Sequence, residues 1–439
     1  MLEQSPLAGT TAFEIAASAE AAIGDGRFSP GQQLPPIRAL ATTLGVSPMT
    51  VGTAYRDLRR RGLLTADGRR GTRVSARPPL PVTTPPLVPA GARDLATGNP
   101  DPERLPPPAS ALAELDLRSR AEPDRNKLQR LVARADAHFA ADGIPTPALV
   151  IVAGALDGVE RALTAHLAPG DRVAVEDPAF IRVLDLLRAL GLVPLPVAVD
   201  DSGMKAAELE STLAAGAKAI LLTPRWQNPF GACLTDERAA ELRQVLDRYE
   251  QVLVIEDDHA GLIATEPPLS VAAGRARWAT VRSVSKAFGA DFRLAVMTGD
   301  RATLGRVEGR QLLGTGWVSH ILQELVANLW TDPRVEAGLP ETANVYAARR
   351  LLLVDALATR GIAAHGASGL NVWIPVVEEA TTVAAMLQRG WAIAAGERWR
   401  LHSGPAVRIT TSTLRPEETD AVADDLADIL GRRARAYSA

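Results

Sequence analysis

The chain has 439 residues, of which 46% are hydrophobic and 23% are charged, and its net charge at neutral pH is −3. A chain of this length exceeds the usual size of one domain, and its composition is that of a globular rather than a disordered protein. Its single cysteine, Cys233, excludes an internal disulfide bond. Since we find neither a signal peptide nor a run of about 20 apolar residues, we expect a cytoplasmic protein without membrane contact.

The first 78 residues have a charge balance of their own. They carry ten arginines and six acidic residues, a net charge of +4, which leaves −7 for the remainder of the chain. Eight of these arginines lie between residues 56 and 77. A basic segment on an otherwise acidic chain is typical of a module that binds DNA.

The apolar spacing in this segment predicts three helices and a hairpin. Phe13, Ala16, Ala19 and Ile23 recur at helical spacing, and "PPIRALATTLG" has a proline at its start and a glycine at its end. Ser47 is a natural N-cap for the third helix, "PMTVGTAYRDLRRR", and "LLTADGRRGTRVSA" alternates as a two-stranded wing does. This pattern predicts a winged helix-turn-helix, although a small helical domain with a hairpin also fits it.

The stretch "FSPGQQLPPIRALATTLGVSPMTVGTAYRDLRRRGLL…GRRGTRV" resembles the winged helix-turn-helix of the GntR family. The resemblance implies that DNA is met by helix and wing residues, namely Arg38, Ser47, Thr50, Tyr55, Arg70, Gly71 and Thr72. The family usually carries arginine after the serine of the recognition helix, whereas this chain has Pro48. Because proline cannot form the bidentate contact of arginine with guanine, we expect an operator unlike that of members with arginine.

A proline-rich stretch occupies residues 77–108. Proline lacks an amide hydrogen and fixes φ, so most of the stretch fits neither a packed helix nor a central strand. We interpret 77–93 as an extended, semi-rigid linker, although a surface loop inside one domain has the same composition. The predicted division is therefore a DNA-binding domain at 1–76, the linker, and a second domain at 94–439.

The second domain alternates helical segments with short apolar runs. The runs that predict strands are "ALVIVAG", "DRVAVED", "VPLPVAV", "AKAILLTP", "VLVIEDD" and "WATVRSVSK". Such alternation predicts a mostly parallel α/β sheet with helices on both faces. Ligands bind such sheets at the carboxyl ends of the strands, which is where we looked for chemistry.

Four of the predicted strands end in residues that can carry chemistry. "AGALDGVE" opens a helix at Gly154–Ala155, where backbone amides suit a phosphate, although a plain turn looks the same. Asn228 lies in a proline-flanked turn, and "VIEDDHA" ends a strand at Asp257, while "SVSK" ends another at Lys286. The acidic run alone also fits a metal or solvated cluster. We expect no metal site, because adjacent aspartates on a strand point in opposite directions.

In this chain order the four motifs resemble the fold-type I aminotransferases that use pyridoxal 5′-phosphate, over about residues 93–439. The resemblance implies that Lys286, one of four lysines, forms the internal aldimine with the cofactor. It also implies that Asp257 faces the pyridine nitrogen, that Asn228 binds the phenolic oxygen, and that Ser283 and Arg293 anchor the phosphate. A stray surface lysine is the alternative interpretation of Lys286.

The remaining implied roles complete the site. At the helix start, Gly154, Ala155 and Leu156 surround the phosphate, with amides donated by Ala155 and Leu156. Phe180 stands where related regulators carry a ring-stacking tyrosine, and His259 where they carry a tyrosine directed at the phenolic oxygen. Arg408 matches the arginine that pairs with an amino acid's carboxylate, and Arg182 matches one near the substrate pocket. A surface arginine is the alternative for Arg408.

Together the two halves resemble the MocR subgroup of GntR regulators, over nearly the whole chain. The resemblance implies a large subdomain at about 130–330, a smaller α+β subdomain at about 335–439, and a homodimer. It also implies a transcription factor that binds operator DNA and senses pyridoxal phosphate, an amino compound bound to it, or both. An aminotransferase with a DNA-binding appendage, and a DNA-binding protein with an inactive, cofactor-free domain, remain the alternatives.

Overall fold

The computed structural model describes residues 7–29, 31–60, 63–66, 71–75, 88–115 and 126–437. The chain divides into two compact units, Met1–Thr84 and Pro85–Ala439. Most of the predicted linker lies outside the described residues, so its extended form and the predicted domain bounds stay predictions. Among the described residues, no helix is long and apolar enough to cross a membrane.

The first unit is built from three helices and a two-stranded hairpin. Its helices are α1 (Ala12–Gly24), α2 (Ile37–Leu44) and α3 (Pro48–Arg60), and its antiparallel strands are β1 (Leu64–Ala66) and β2 (Thr72–Val74). Thr11 and Glu14 form a capping box at the start of α1. α2 ends at Gly45, whose φ of 67° is left-handed and turns the chain toward α3. These elements agree with the helices and wing that the sequence predicts.

The core of this unit corrects two expectations from the sequence. Tyr55 is fully buried, and its hydroxyl donates a hydrogen bond to the Pro35 carbonyl at 2.9 Å. The prediction that Tyr55 meets DNA is therefore wrong, because the side chain holds α3 against the segment that precedes α2. On α1 it is Ile15 that is buried, whereas Phe13 is 71% exposed.

The second unit has the predicted alternation of strands and helices. Its strands are β3 (Arg93–Asp94), β4 (Leu149–Val152), β5 (Arg172–Asp177), β6 (Val193–Asp200), β7 (Gly203–Met204), β8 (Ala217–Leu222), β9 (Leu253–Asp257), β10 (Trp278–Ser283), β11 (Ala295–Gly299), β12 (Asn371–Pro375), β13 (Trp391–Ala392), β14 (Ala394–Ala395) and β15 (Ala406–Thr410). Its helices are α4 (Ala109–Ala113), α5 (Gln129–Ala141), α6 (Ala155–His166), α7 (Ile181–Ala189), α8 (Ala206–Ala214), α9 (Asp236–Leu246), α10 (Ser285–Phe288), α11 (Arg301–Leu312), α12 (His320–Thr331), α13 (Pro333–Ala358), α14 (Glu379–Gln388) and α15 (Thr419–Tyr437).

The large sheet of this unit is mostly parallel. Within the described residues it has eight strands in the order β4-β11-β10-β9-β8-β5-β6-β7. The central strands β10, β9, β8, β5 and β6 run parallel, whereas β11 is antiparallel to both β10 and β4. Alternate residues of the central strands belong to two separate hydrophobic clusters, one on each face. The sheet is thus covered on both faces, which explains why its strands are continuous apolar runs.

A smaller sheet near the C-terminus brings a distant segment to the site. Its strands β12, β15 and β14 are antiparallel, and α15 contacts both α13 and α14 beside it. β3 pairs in parallel with β13, with Arg93 opposite Trp391. This pairing directs the residues that follow β3 past β15, which carries Arg408.

Candidate functional site

The carboxyl ends of three neighbouring strands bring the predicted residues together. β8, β9 and β10 are adjacent and parallel, and in their register Val281 lies opposite Asp257. Asp257 ends β9, Asn228 follows β8, and Lys286 lies in α10 directly after β10. These side chains therefore share one edge of the sheet, as the sequence predicts.

Lys286 is a partly buried amine with a lowered pKa. Its Nζ donates a hydrogen bond to the Gly98 carbonyl at 3.0 Å. Burial lowers the pKa of Lys286 to about 8, and the positive charge of Arg408 adds to the effect. A larger fraction of this amine is neutral near pH 7 than for an ordinary lysine, and only the neutral amine is a nucleophile.

The carboxylate of Asp257 can accept a further hydrogen bond. Its carboxylate is buried, and its Oδ1 has no hydrogen-bond partner among the described residues. Burial raises the pKa of Asp257 to about 7, and the negative charge of Asp258 raises it further, whereas Lys286 lowers it. A buried, unpaired carboxylate is costly unless a donor or cation meets it. A protonated ring nitrogen fits this requirement.

A cationic cradle lies at the start of α6. Gly154 precedes the helix with a φ of 99°, and the first amides of the helix, Ala155 and Leu156, have no intrahelical acceptor. A Cβ built on Gly154 would lie 2.9 Å from Nη2 of Arg293, so the guanidinium lies close over the helix N-terminus. Two positive groups at one place suit a phosphate.

The hydroxyls near the cradle are also paired. Ser283 Oγ lies 2.9 Å from Ser285 Oγ and accepts a hydrogen bond from the Ser285 amide at 3.2 Å. Sequence reasoning identified Ser283 and missed Ser285, although "SVSK" shows both serines. Ser283 ends β10 and Ser285 begins α10 directly before Lys286, so the two hydroxyls and the amine belong to one continuous segment.

Replacement of Gly154 by alanine is expected to lower affinity for pyridoxal 5′-phosphate by roughly 10- to 150-fold. The new methyl group would displace Arg293, and a hydrogen bond to a charged group contributes about 1.5–3 kcal/mol. Gly170→Ala is the matched control, because Gly170 also has a positive φ, 91°, but has nothing within 4 Å of its added Cβ. Spectroscopic titration measures both affinities. An equal loss in the control would assign the effect to backbone strain.

Arg408 interacts electrostatically with Lys286 and is fixed by contacts with three other residues. Its Nη1 donates to Asn228 Oδ1 at 2.9 Å, its Nη2 donates to the Ala96 carbonyl, and its guanidinium carbon lies 4.6 Å from the centre of the Trp399 ring. Burial lowers the pKa of Arg408 to about 10, so it is still cationic at neutral pH. Its Nε has no partner among the described residues.

The segment after β3 is the part of the site that sequence reasoning missed. Gly98 has a φ of 72°, and a Cβ there would lie 3.1 Å from Nη2 of Arg408. The Gly98 carbonyl accepts from Lys286, and the Ala96 carbonyl accepts from Arg408. The glycine in "LATGNP" was a signal of close backbone approach, but its partner is distant in sequence.

The other predicted residues take more peripheral positions. Phe180 is partly buried as the residue that precedes α7, whereas Arg182, in the first turn of that helix, is exposed. His259 is partly buried, and burial together with the charge of Lys286 lowers its pKa to about 4. It is therefore neutral at pH 7 and keeps one ring N–H to donate.

Asp177, at the end of β5, ties the Phe180 segment to the loop that carries Trp399. Its carboxylate accepts hydrogen bonds from the amides of Leu401, His402 and Ser403 at 2.7–2.8 Å. The Ala179 amide also donates to the Trp399 carbonyl at 2.8 Å. These hydrogen bonds join the Phe180 segment to the loop of Trp399. The ring of Trp399 in turn packs on Arg408.

Behind the site, Asp258 holds two buried arginines. Arg225 donates to it through Nε at 2.9 Å and Nη2 at 3.0 Å, and Arg282 through Nε at 2.9 Å and Nη2 at 2.7 Å. These charges hold the pKa of Asp258 far below its usual range, despite burial. Among the described residues, no group of acidic, histidine or cysteine side chains could hold a metal ion. Of the acidic run that ends β9, Asp258 therefore belongs to a structural ion network beside the site.

In the first unit, the residues predicted to meet DNA lie mostly on the surface. Arg38 is exposed on α2. Ser47 Oγ accepts from the Thr50 amide at 3.1 Å and lies 2.8 Å from Thr50 Oγ1, so the two side chains cap α3 together. Gly71, with a φ of 88°, precedes β2, which begins at Thr72. Arg70 lies outside the described residues.

Comparison with known families divides the chain in the same way. Residues 93–426 match the family described as "Aminotransferase class I and II", and residues 11–74 match "Bacterial regulatory proteins, gntR family". The vitamin B6 salvage pathway transcriptional repressor PtsJ of Salmonella typhimurium is 40% identical, over 97% of this chain and 99% of that protein. The pyridoxine biosynthesis regulator PdxR of Corynebacterium glutamicum is 29% identical, over 54% of this chain and 53% of PdxR.

Solved structures share the fold of the second unit. The kynurenine aminotransferase of Pyrococcus horikoshii superposes with a TM-score of 0.70 at 21% identity, and covers 78% of this chain and 92% of its own. The α-aminoadipate aminotransferase LysN of Thermus thermophilus has a TM-score of 0.68 at 18% identity, with 78% and 92% covered. At these identities the likeness concerns the fold alone.

Proposed function

The chain belongs to the MocR-type regulators, which join a GntR helix-turn-helix to an aminotransferase class I and II domain, and on that premise we propose that it binds pyridoxal 5′-phosphate at Lys286 and that this binding sets its affinity for an operator. The observation that carries the proposal is the convergence of three features at one sheet edge. These are the amine of Lys286, the unpaired oxygen of Asp257, and the cationic cradle formed by Arg293 and α6.

Each feature fits one part of the cofactor. Bound cofactor supplies an aldehyde carbon for a lysine amine and an electron-withdrawing ring. Lys286 offers the amine, Asp257 holds a proton on the ring nitrogen, and Arg293 orients the phosphate with the α6 amides. The Asn228 side chain accepts from Arg408 through Oδ1, so its Nδ2 is left to donate to the phenolic oxygen. Phe180 would pack against the cofactor ring, and His259 would offer its ring N–H beside it.

An amino compound is the second component that we propose the site to sense. Arg408 is a buried cation near Lys286, and its free Nε leaves capacity for a carboxylate. The exposed Arg182 serves an outer part of the same ligand. The names of PtsJ and PdxR concern vitamin B6 salvage and pyridoxine biosynthesis, which favours genes of vitamin B6 metabolism as targets of this chain as well.

We also propose that the chain acts as a homodimer. Three large apolar side chains in the second unit are exposed where α11 ends and α12 begins: Leu312 at 51%, Leu313 at 84% and Ile321 at 58%. A second copy of the chain would cover them, as exposed apolar patches commonly mark interaction sites. Light scattering of the purified chain measures the mass directly.

Transaminase turnover is the second candidate function. It is favoured by one observation, namely that Lys286, Asp257 and Arg408, which together suffice for a half-reaction, occur in one site. A turnover assay with an amino acid and a keto-acid acceptor separates the two functions. Many turnovers per site, together with an operator affinity that ignores the cofactor, would favour the enzyme.

DNA binding is expected to weaken steeply with salt and to depend on Arg38. Fluorescence anisotropy of the full chain on duplexes from the region upstream of its own gene measures both effects. Loss of one phosphate contact in Arg38→Ala should lower the slope of log affinity against log salt by about one. Arg334→Ala is the control, because Arg334 is an exposed arginine of the second unit that pairs with Asp332. Salt-independent binding would contradict the proposed function.

A further inference from the structure

The start of the recognition helix presents an apolar surface to the solvent. We propose that Met49 contacts the 5-methyl group of a thymine in the major groove, so that the operator has an A·T pair beneath the first turn of α3. This rests on the DNA-binding function proposed above. It goes beyond that function by assigning the chemistry that the helix reads and the residue that reads it.

The orientation of α3 is fixed by its buried face. Val51, Ala54, Tyr55 and Leu58 are each at most 1% exposed. The Tyr55 hydroxyl is also bonded to the Pro35 carbonyl, which prevents rotation of α3 about its axis. The opposite face therefore points to the solvent, as the exposure of Met49, Thr53 and Arg56 shows.

That outward face begins with Met49, which is 77% exposed. Residues three, four and seven positions further share its face, and of these Thr53 and Arg56 are exposed. Arg56 donates to Thr53 Oγ1 at 2.9 Å. In a helix-turn-helix the N-terminal residues of the second helix contact the base edges. Met49 thus lies at the position of base contact, one turn ahead of the polar pair.

The first turn has little hydrogen-bonding capacity to offer a base. Pro48 has no side-chain donor or acceptor, and the hydroxyls of Ser47 and Thr50 are bonded to each other at 2.8 Å. Beside the exposed Ser47, this turn presents the ring of Pro48 and the flexible side chain of Met49 to the solvent. In the major groove thymine presents a methyl group at the base edge, whereas adenine, guanine and cytosine present none.

The surrounding charges support DNA rather than another occupant. Arg38, Arg56 and Arg59 are exposed on the same two helices. Arginines around a recognition helix position it through phosphates, whereas the base contacts specify the sequence. A protein partner that packed on Met49 would need an apolar contact surface surrounded by acidic side chains, because arginines surround Met49. Duplex DNA has that arrangement where a thymine methyl lies between two phosphate backbones.

The test first selects a bound duplex from a random pool with the full chain. Each thymine of that duplex is then replaced by deoxyuridine, which lacks only the 5-methyl group. Wild-type affinity is expected to fall about fourfold at one thymine in each half-site, the loss typical of one buried methylene-sized group. Met49→Ala should bind the two duplexes equally. Met49→Leu should keep the thymine preference, since its side chain is still apolar and long.

Phe13→Ala is the control, because Phe13 is 71% exposed in the same unit but lies on α1. It should keep the full uracil penalty. A penalty of equal size in Met49→Ala and wild type would overturn the proposal, as would DNA binding that is indifferent to every thymine methyl. These outcomes leave the DNA-binding function standing. If the wild-type chain selects no duplex at all, the proposed function and this inference fall together.

Discussion

Replacement of Lys286 by alanine is expected to abolish both covalent binding of pyridoxal phosphate and its effect on operator affinity. Lys286 interacts with Asp257 through their opposite charges, and burial lowers the pKa of Lys286 to about 8. Coupling between two sites typically amounts to about 1–3 kcal/mol, so cofactor should change wild-type operator affinity by roughly 5- to 150-fold. In Lys286→Ala that factor should fall to one, while the DNA affinity of the cofactor-free chain is unchanged.

Two measurements read out this prediction. The wild-type chain with cofactor should be yellow, and borohydride should fix the cofactor on the peptide that contains Lys286. Operator affinity is measured for both proteins with and without cofactor. Lys205→Ala is the matched control, because Lys205 is an exposed lysine of the same unit. Cofactor fixed on Lys127, Lys205 or Lys218, or equal affinities in all four conditions, would contradict the prediction.

Replacement of Asp258 by alanine is expected to destabilise the second unit by about 3–5 kcal/mol, because it removes the buried carboxylate that both buried arginines bond and leaves them only Asp142 as a counter-charge. Arg225 and Arg282 are 3% and 0% exposed. The control is Asp424→Ala, which also removes an aspartate paired with an arginine, Arg360. Asp424 is 69% exposed, so the cost should be at most about 1 kcal/mol.

Urea unfolding followed by tryptophan fluorescence measures both variants. All seven tryptophans lie beyond residue 200, so the signal reports on the second unit. A similar loss in the two variants would mean that the Asp258 network contributes no more than a surface ion pair. A loss in Asp258→Ala together with weaker cofactor binding would show that the network also positions Asp257.

The sequence predicted the sheet and the convergence of Asn228, Asp257 and Lys286, because apolar runs define the strands and parallel strands share their carboxyl ends. Tyr55 was misassigned, because a residue in the apolar stripe of a short helix cannot also face DNA. The antiparallel strand β11 and the Arg225–Asp258–Arg282 network were not predicted. Both depend on partners chosen in three dimensions, as does the approach of Gly98 to Arg408, 310 positions away in the sequence.

The hydrogen bonds around Asp177 bear on how much a movement of the Trp399 loop costs. Three backbone amides donate to one carboxylate, and a hydrogen bond to a charged group typically contributes about 1.5–3 kcal/mol. A movement of the Trp399 loop away from Asp177 would break several of these hydrogen bonds at once, so a small displacement of the loop is already costly. A ligand at Arg408 whose binding requires this loop to move would therefore bind more weakly by the free energy of the bonds that break.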